Sequence, residues 1–135
     1  MRTVHKTGGM VEATETPSEA AAREIGEEVG LHVPIGRLLV VDSLPARLTR
    51  HGRALTAHVF DAPVLNAAQA RSLVFADGEV RAARWLAPKD AIAQLPTVLG
   101  NRIEAAFRAL RHGDVEVLDH TATASLDDPE RGDGR

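Results

Sequence analysis

The chain contains no cysteine and no tyrosine, and aromatic residues fill only 3% of its 135 positions. Without thiols, disulfides and thiolate metal sites are excluded, which fits a reducing compartment. With so few rings, the core must be built from Val, Leu, Ile and Ala. No apolar run approaches a membrane span, and the N-terminal "MRTVHKTGGM" lacks the apolar centre of a signal peptide. Positive charge is not in excess either. A net charge of -3 leaves no dominant basic face to hold a nucleic-acid polymer by bulk electrostatics. These absences set the expectation of a cytoplasmic protein with neither a membrane nor a nucleic-acid polymer as partner.

What is present suits one globular α/β domain over residues 1–120, followed by a disordered tail. Hydrophobic and charged fractions of 44% and 26% are ordinary for a packed fold. The clearest element opens at "TPSE". Thr16 is placed to cap, Pro17 takes the first helical position, and Glu19 lies three residues after the cap, which predicts a capping box. The helix is expected over Pro17 to Val29, with Gly30 as a left-handed stop. "GRLLVVDSL" (36–44) reads as a buried strand, "ALTAHVFDAPV" (54–64) as a second and "EVRAARWLA" (79–87) as a third. The basic, turn-prone "PARLTRHGR" joins the first two. "PKDAIAQL" is a short helix opening at Pro88. Asn101 to Arg111 is an amphipathic helix with Ile103, Ala106, Phe107 and Leu110 on one face. Residues 115–118 add a last short strand. From Thr121 the chain is small, polar and charged, which predicts disorder for 121–135. Strands followed by packing helices suggest a mixed layered structure.

The first helix poses an electrostatic problem. Glu24, Glu27 and Glu28 fall within an arc of about 100°, and like charges at i,i+4 weaken a helix. Ala21, Ala22, Ile25 and Val29 occupy the neighbouring arc, so a packing face and an acidic face lie side by side. Carboxylates at i, i+3 and i+4 make an oxygen-ligand set suited to a hard divalent cation, which would relieve the repulsion. Arg23, four residues before Glu27, could steady a carboxylate without metal. The alternative is a solvated acidic face.

The spacing around this helix reduces the weight of that alternative. Gly9 is followed after five residues by Glu15, and after seven more by Arg23-Glu24-Ile25, then Glu27-Glu28 and Gly30-Leu31. These nine positions, with these gaps, make the chain resemble the Nudix hydrolase family from about residue 4 to 118. The resemblance implies a Nudix-type α/β/α sandwich with a mixed sheet. It also implies a metal-dependent hydrolase of nucleoside diphosphates linked to another moiety, a small-molecule substrate, with Mg²⁺ or Mn²⁺ as cofactor. On that basis Glu24, Glu27 and Glu28 are the metal ligands, with Glu24 or a neighbour the general base. The Gly8 carbonyl adds a ligand, and Gly9 lets its loop approach the site closely. Glu15 and Arg23 form the pair that orients the carboxylates. Glu79 stands where family members often carry a further catalytic or metal-binding acid, although a solvated acid in a turn is the competing assignment.

Two residues depart from the family pattern. Thr7 precedes Gly8 where Pro is usual, and Thr14 replaces the usual Gly before Glu15. A turn wanting positive φ at position 14 would strain a β-branched residue. The strands that normally precede the box are missing ahead of Gly9, which gives the expectation of an N-terminally truncated domain and makes a homodimer attractive. The alternative function is a non-catalytic Nudix-like module binding a nucleotide or a protein, or an inactive fragment. Trp85 is expected in the core. Arg47, Arg50 and Arg53 around His51 form a basic loop that could contact phosphate. His5, His32, His58, His112 and His120 show no ligand-like spacing and receive no role.

Overall fold

The computed structural model describes residues 10–73 and 86–120. It is a mixed α/β fold with a three-stranded mixed sheet, consistent with the Nudix fold. The chain divides into two compact units, residues 1–37 with 59–85 and residues 38–58 with 86–135.

In the first unit, helix α1 runs Pro17–Val29, with the bounds its caps predict. The Glu19 amide donates to the Thr16 hydroxyl at 3.3 Å, and that hydroxyl donates to the Glu19 carboxylate at 3.0 Å. The carboxylate therefore takes the hydroxyl instead of the Thr16 amide that a full capping box would use. Gly30 closes the helix at φ 70°, a backbone region where a Cβ is unfavourable. Its amide donates back to the Gly26 carbonyl at 3.1 Å. Ile25, Val29 and Leu31 form a buried cluster to which Ile35, Leu65 and Leu73 add partly buried surface. Beyond the helix, Gly36 lies against residue 61. A Cβ at Gly36 would sit 3.0 Å from the Asp61 carbonyl, so a side chain there would crowd the paired bonds Gly36 N–H to Asp61 O and Asp61 N–H to Arg37 O. Helix α2, Ala67–Arg71, was not expected. Its signal was the local one of Asn66 with Gln69, which form a reciprocal capping box.

In the second unit, β1 spans Leu38–Leu44 and β3 spans Glu116–Asp119, paired in parallel with Val40 opposite Glu116 and Ser43 opposite Asp119. Strand β2, Leu55–Phe60, flanks β1 on its other side, giving the order β2-β1-β3, and its last two residues belong to the first unit. A single 3-10 turn at Ala46–Leu48 opens the basic loop. Helices α3, Pro88–Ala93, and α4, Thr97–His112, pack together, and α4 lies on β1.

Helix α4 departs from expectation in two ways. It starts at Thr97, directly after Pro96, so "TVLG" extends it by a turn. Its fully buried positions are Gly100, Arg102, Ala105, Ala106 and Ala109, whereas Ile103, Phe107 and Leu110 are only half-buried. The buried face is turned toward Arg102 because Arg102 has a partner inside. Asp42 on β1 has no exposed surface. Its two carboxylate oxygens accept from Arg102 Nε at 2.7 Å and meet His120 Nε2 at 2.6 Å. A charged residue joins a core face when the charge it meets is also desolvated and fully bonded.

Of the remaining strand expectations, residues 79–85 of the third strand lie outside the described residues, as does the 121–135 tail. Among the described residues, no helix is long and apolar enough to cross a membrane.

Candidate active site

Helix α1 presents its three carboxylates in three different environments. Glu24, in the middle of the acidic arc, is only 4% exposed. Glu28 is half-buried and Glu27 exposed. A solvated face accounts for Glu27 but not for Glu24, because burying a carboxylate is costly unless neighbouring groups compensate it. One such neighbour is Arg23, whose Nη2 lies 3.9 Å from Glu24 Oε1.

Arg23 is the hub of the site. Its Nε and Nη2 donate to the two oxygens of Glu15 at 3.2 and 2.7 Å, the bidentate fork that suits guanidinium to carboxylate. Nη1 donates to Glu27 at 3.2 Å, one turn along, and Nη2 also reaches the Met10 carbonyl at 3.2 Å. The Glu12 amide donates to Glu15 Oε1 at 2.8 Å. The residues before the helix are therefore tied to the helix through one side chain. Sequence reasoning named the Glu15–Arg23 pair but missed Met10, which contributes a backbone carbonyl, and Glu12, which contributes its amide and a carboxylate 3.9 Å from Arg23 Nε. The turn at 12–15 closes through the Glu15 amide on the Glu12 carbonyl at 3.1 Å. No described residue other than glycine has positive φ, so Thr14 is not strained in the way expected.

The Arg23 guanidinium holds the Glu15 carboxyl below its usual range, and the Glu12 amide adds to the effect. The same contact raises the Arg23 pKa. A carboxyl depressed on folding stabilises the folded state above its ordinary value of about 4.3 and loses that contribution as pH falls through the lowered value. In a carbon-detected NMR titration, Glu15 is expected to protonate below the ordinary glutamate range. Arg23→Gln should return it to the ordinary range; an unchanged midpoint would refute the clamp.

The gap between Ile25 and Glu27 is also shaped. The His32 ring covers Gly26, and a Cβ there would stand 3.1 Å from His32 Cε1.

As donors, Glu24, Glu27 and Glu28 fit a hard divalent cation, since all three offer carboxylate oxygens from adjacent turns of one helix. Among the described residues, however, no three acidic or imidazole side chains are gathered closely enough to hold a metal ion, and Glu27 leans on Arg23. Gly8, Gly9, Glu79 and Trp85 lie outside the described residues.

Comparison with known families decides the ancestry. The family model for the NUDIX domain matches residues 5–109, well over half the chain. The chain belongs to the Nudix family. No curated protein and no solved structure shows a significant match to it. Nudix membership accounts for the joint presence of the box glycines, the Arg23–Glu15 pair and the acidic turn of α1. Most Nudix proteins are hydrolases, and they typically use divalent metals.

Proposed function

We propose that the protein is a metal-dependent Nudix pyrophosphohydrolase acting on nucleoside diphosphates linked to another moiety. The observation that carries this proposal is Glu24, a buried carboxylate at the centre of an intact acidic turn. In a helix serving only as a solvated surface, that group would face water.

Glu24, Glu27 and Glu28 would hold Mg²⁺ or Mn²⁺, with the Gly8 carbonyl and Glu79 as further donors from the family pattern. The bound cation would supply Lewis acidity toward the diphosphate oxygens and lower the pKa of an attacking water. Glu24 would accept a proton from that water, a role supported by its burial within the acidic turn. Arg23 and Glu15 orient the turn. Arg23 also neutralises part of its charge, and its fork limits the rotation of both partners. Gly30 fixes where the helix stops, and Ile25 and Leu31 pack it down.

A second reading, a non-catalytic Nudix-like binding module, draws support from the dispersed carboxylates and from Thr14 in the usual glycine position. One experiment separates the two. Phosphate-product release is measured on a panel of nucleoside-diphosphate compounds with Mg²⁺ or Mn²⁺, for the native chain and for Glu27→Gln. Metal-dependent turnover that falls in the variant is the expected result. No turnover of any compound by folded protein would favour the binding module.

A further inference from the structure

The second unit carries an open cleft of about 390 Å³ where the ends of β1 and β3 meet the start of β2. We infer that this cleft binds a small organic ammonium ion, its charge on Asp119 and its hydrocarbon body on the apolar lining toward Leu55.

Charge supplies the first half of the case. Among the described residues, no lysine or arginine lines the cleft, and Asp119 is the one acid that does. The acids closest to it in the sheet are paired, Asp42 with Arg102 and Glu116 with Arg108. The Asp119 carboxylate has no such partner among the described residues. The other polar groups of this wall are already engaged. The His120 ring meets Asp42 at 2.6 Å, and the His120 carbonyl accepts from Arg47 at 3.1 Å. The loop that joins Pro45 to Ala54 bears Arg47, Arg50 and Arg53, none of them in the lining. An ammonium in hydrogen-bond contact with a carboxylate outweighs more distant charges that water and salt screen. An anion in the cleft would meet Asp119 with nothing in the lining to offset it.

The sheet supplies the second half. Ser43 stands opposite Asp119 in the parallel pair of β1 and β3, and paired residues project to the same face. The Ser43 hydroxyl is therefore a neighbour of the Asp119 carboxylate, and Thr56 adds a second hydroxyl to the lining. An ammonium carries three donors, so a carboxylate with hydroxyl acceptors beside it suits one. Because β1 lies between β2 and β3, Asp119 and Leu55 are on strands two spacings apart, about 10 Å. Leu55 is 44% exposed, and with Leu44, Pro45 and Ala54 it makes that side of the cleft apolar. Both parallel strands end here, and the carboxyl ends of such strands are where open α/β sheets bind ligands. A bare inorganic cation would leave the apolar side uncovered, and a neutral alcohol would leave Asp119 without a counter-charge. A short alkylamine satisfies both sides. This inference shares no residue with the box and does not depend on the hydrolase proposal.

The test titrates the ¹⁵N-labelled full chain with isoamylamine, isoamyl alcohol or methylamine at fixed pH and ionic strength. Isoamylamine is expected to give saturable shifts at the amides of Ser43, Leu55, Thr56 and Asp119. The alcohol should bind more weakly for want of charge, and methylamine for want of a hydrocarbon body. Asp119→Asn should weaken isoamylamine binding by about tenfold or more. Asp90→Asn removes the same charge from an exposed site on α3 and should change nothing. Absence of saturable shifts at these amides, or equal affinity for isoamylamine and either of the other compounds, overturns the inference. So does an Asp119→Asn chain that binds isoamylamine as tightly as the Asp90→Asn chain.

Discussion

Glu24→Gln is expected to lower metal-dependent turnover by about 10²- to 10⁴-fold, the range a positioned general base contributes, while the chain stays folded. The amide has the volume of the carboxylate, so the buried site is not opened or overfilled. What changes is charge and basicity at a side chain that is 4% exposed. The amide can neither take a proton from water nor offer an anionic oxygen to a cation. Measuring kcat and KM against metal concentration distinguishes the two losses. A general-base role shows as reduced kcat at saturating metal, and a ligand role as a raised metal requirement. Turnover within tenfold of the native chain under both conditions would remove Glu24 from the chemistry.

The largest expected effect on stability lies in the second unit. Arg102→Met should destabilise the fold by about 3–5 kcal/mol, the cost of leaving a buried charge without its partner. Asp42 and Arg102 have side-chain exposures of 0% and 6% and are 2.7 Å apart, so solvent screens the pair little. His120 would remain as a partner of Asp42, but it already engages the other oxygen. The companion variant Asp42→Leu with Arg102→Met removes both charges and should recover much of the loss, since apolar replacements of a buried pair are often near neutral. His120 would then lack its acceptor, so recovery should stop short of the native value. Urea midpoints at unchanged slope would measure all three proteins. A single-variant loss below about 1 kcal/mol would mean that the pair is effectively solvated.

These two sites differ in how far the sequence revealed them. Helix α1 was legible to the residue because its determinants are local: a capping Thr16, Pro17 at the first position and Gly30 just past the end. The Glu15–Arg23 pair followed from the resemblance to the Nudix family. Asp42 appeared only as an acid inside a run of leucine and valine, and nothing nearby named its partners. They stand 60 and 78 positions away along the chain, a distance that periodicity does not bridge. The same network explains why the expected face of α4 was rotated. Counting apolar side chains favoured Ile103, Phe107 and Leu110, whereas a desolvated ion pair drew Arg102 inward. Helix α2 was overlooked for the opposite reason. At five residues it has almost no periodicity, and only its Asn66–Gln69 cap distinguishes it.

The contact between α4 and β1 gives the composition a geometric meaning. Ala105, Ala106 and Ala109 are wholly covered, as is Val40, which shares the face of β1 that carries Asp42, so helix and strand meet across methyl groups and short aliphatic chains. Such a seam brings the two backbones close and leaves no slot where a phenyl or indole ring could lie flat. Enlarging any of the three alanines would act as a wedge, prising the helix from the strand and straining the buried ionic anchor at its first turns.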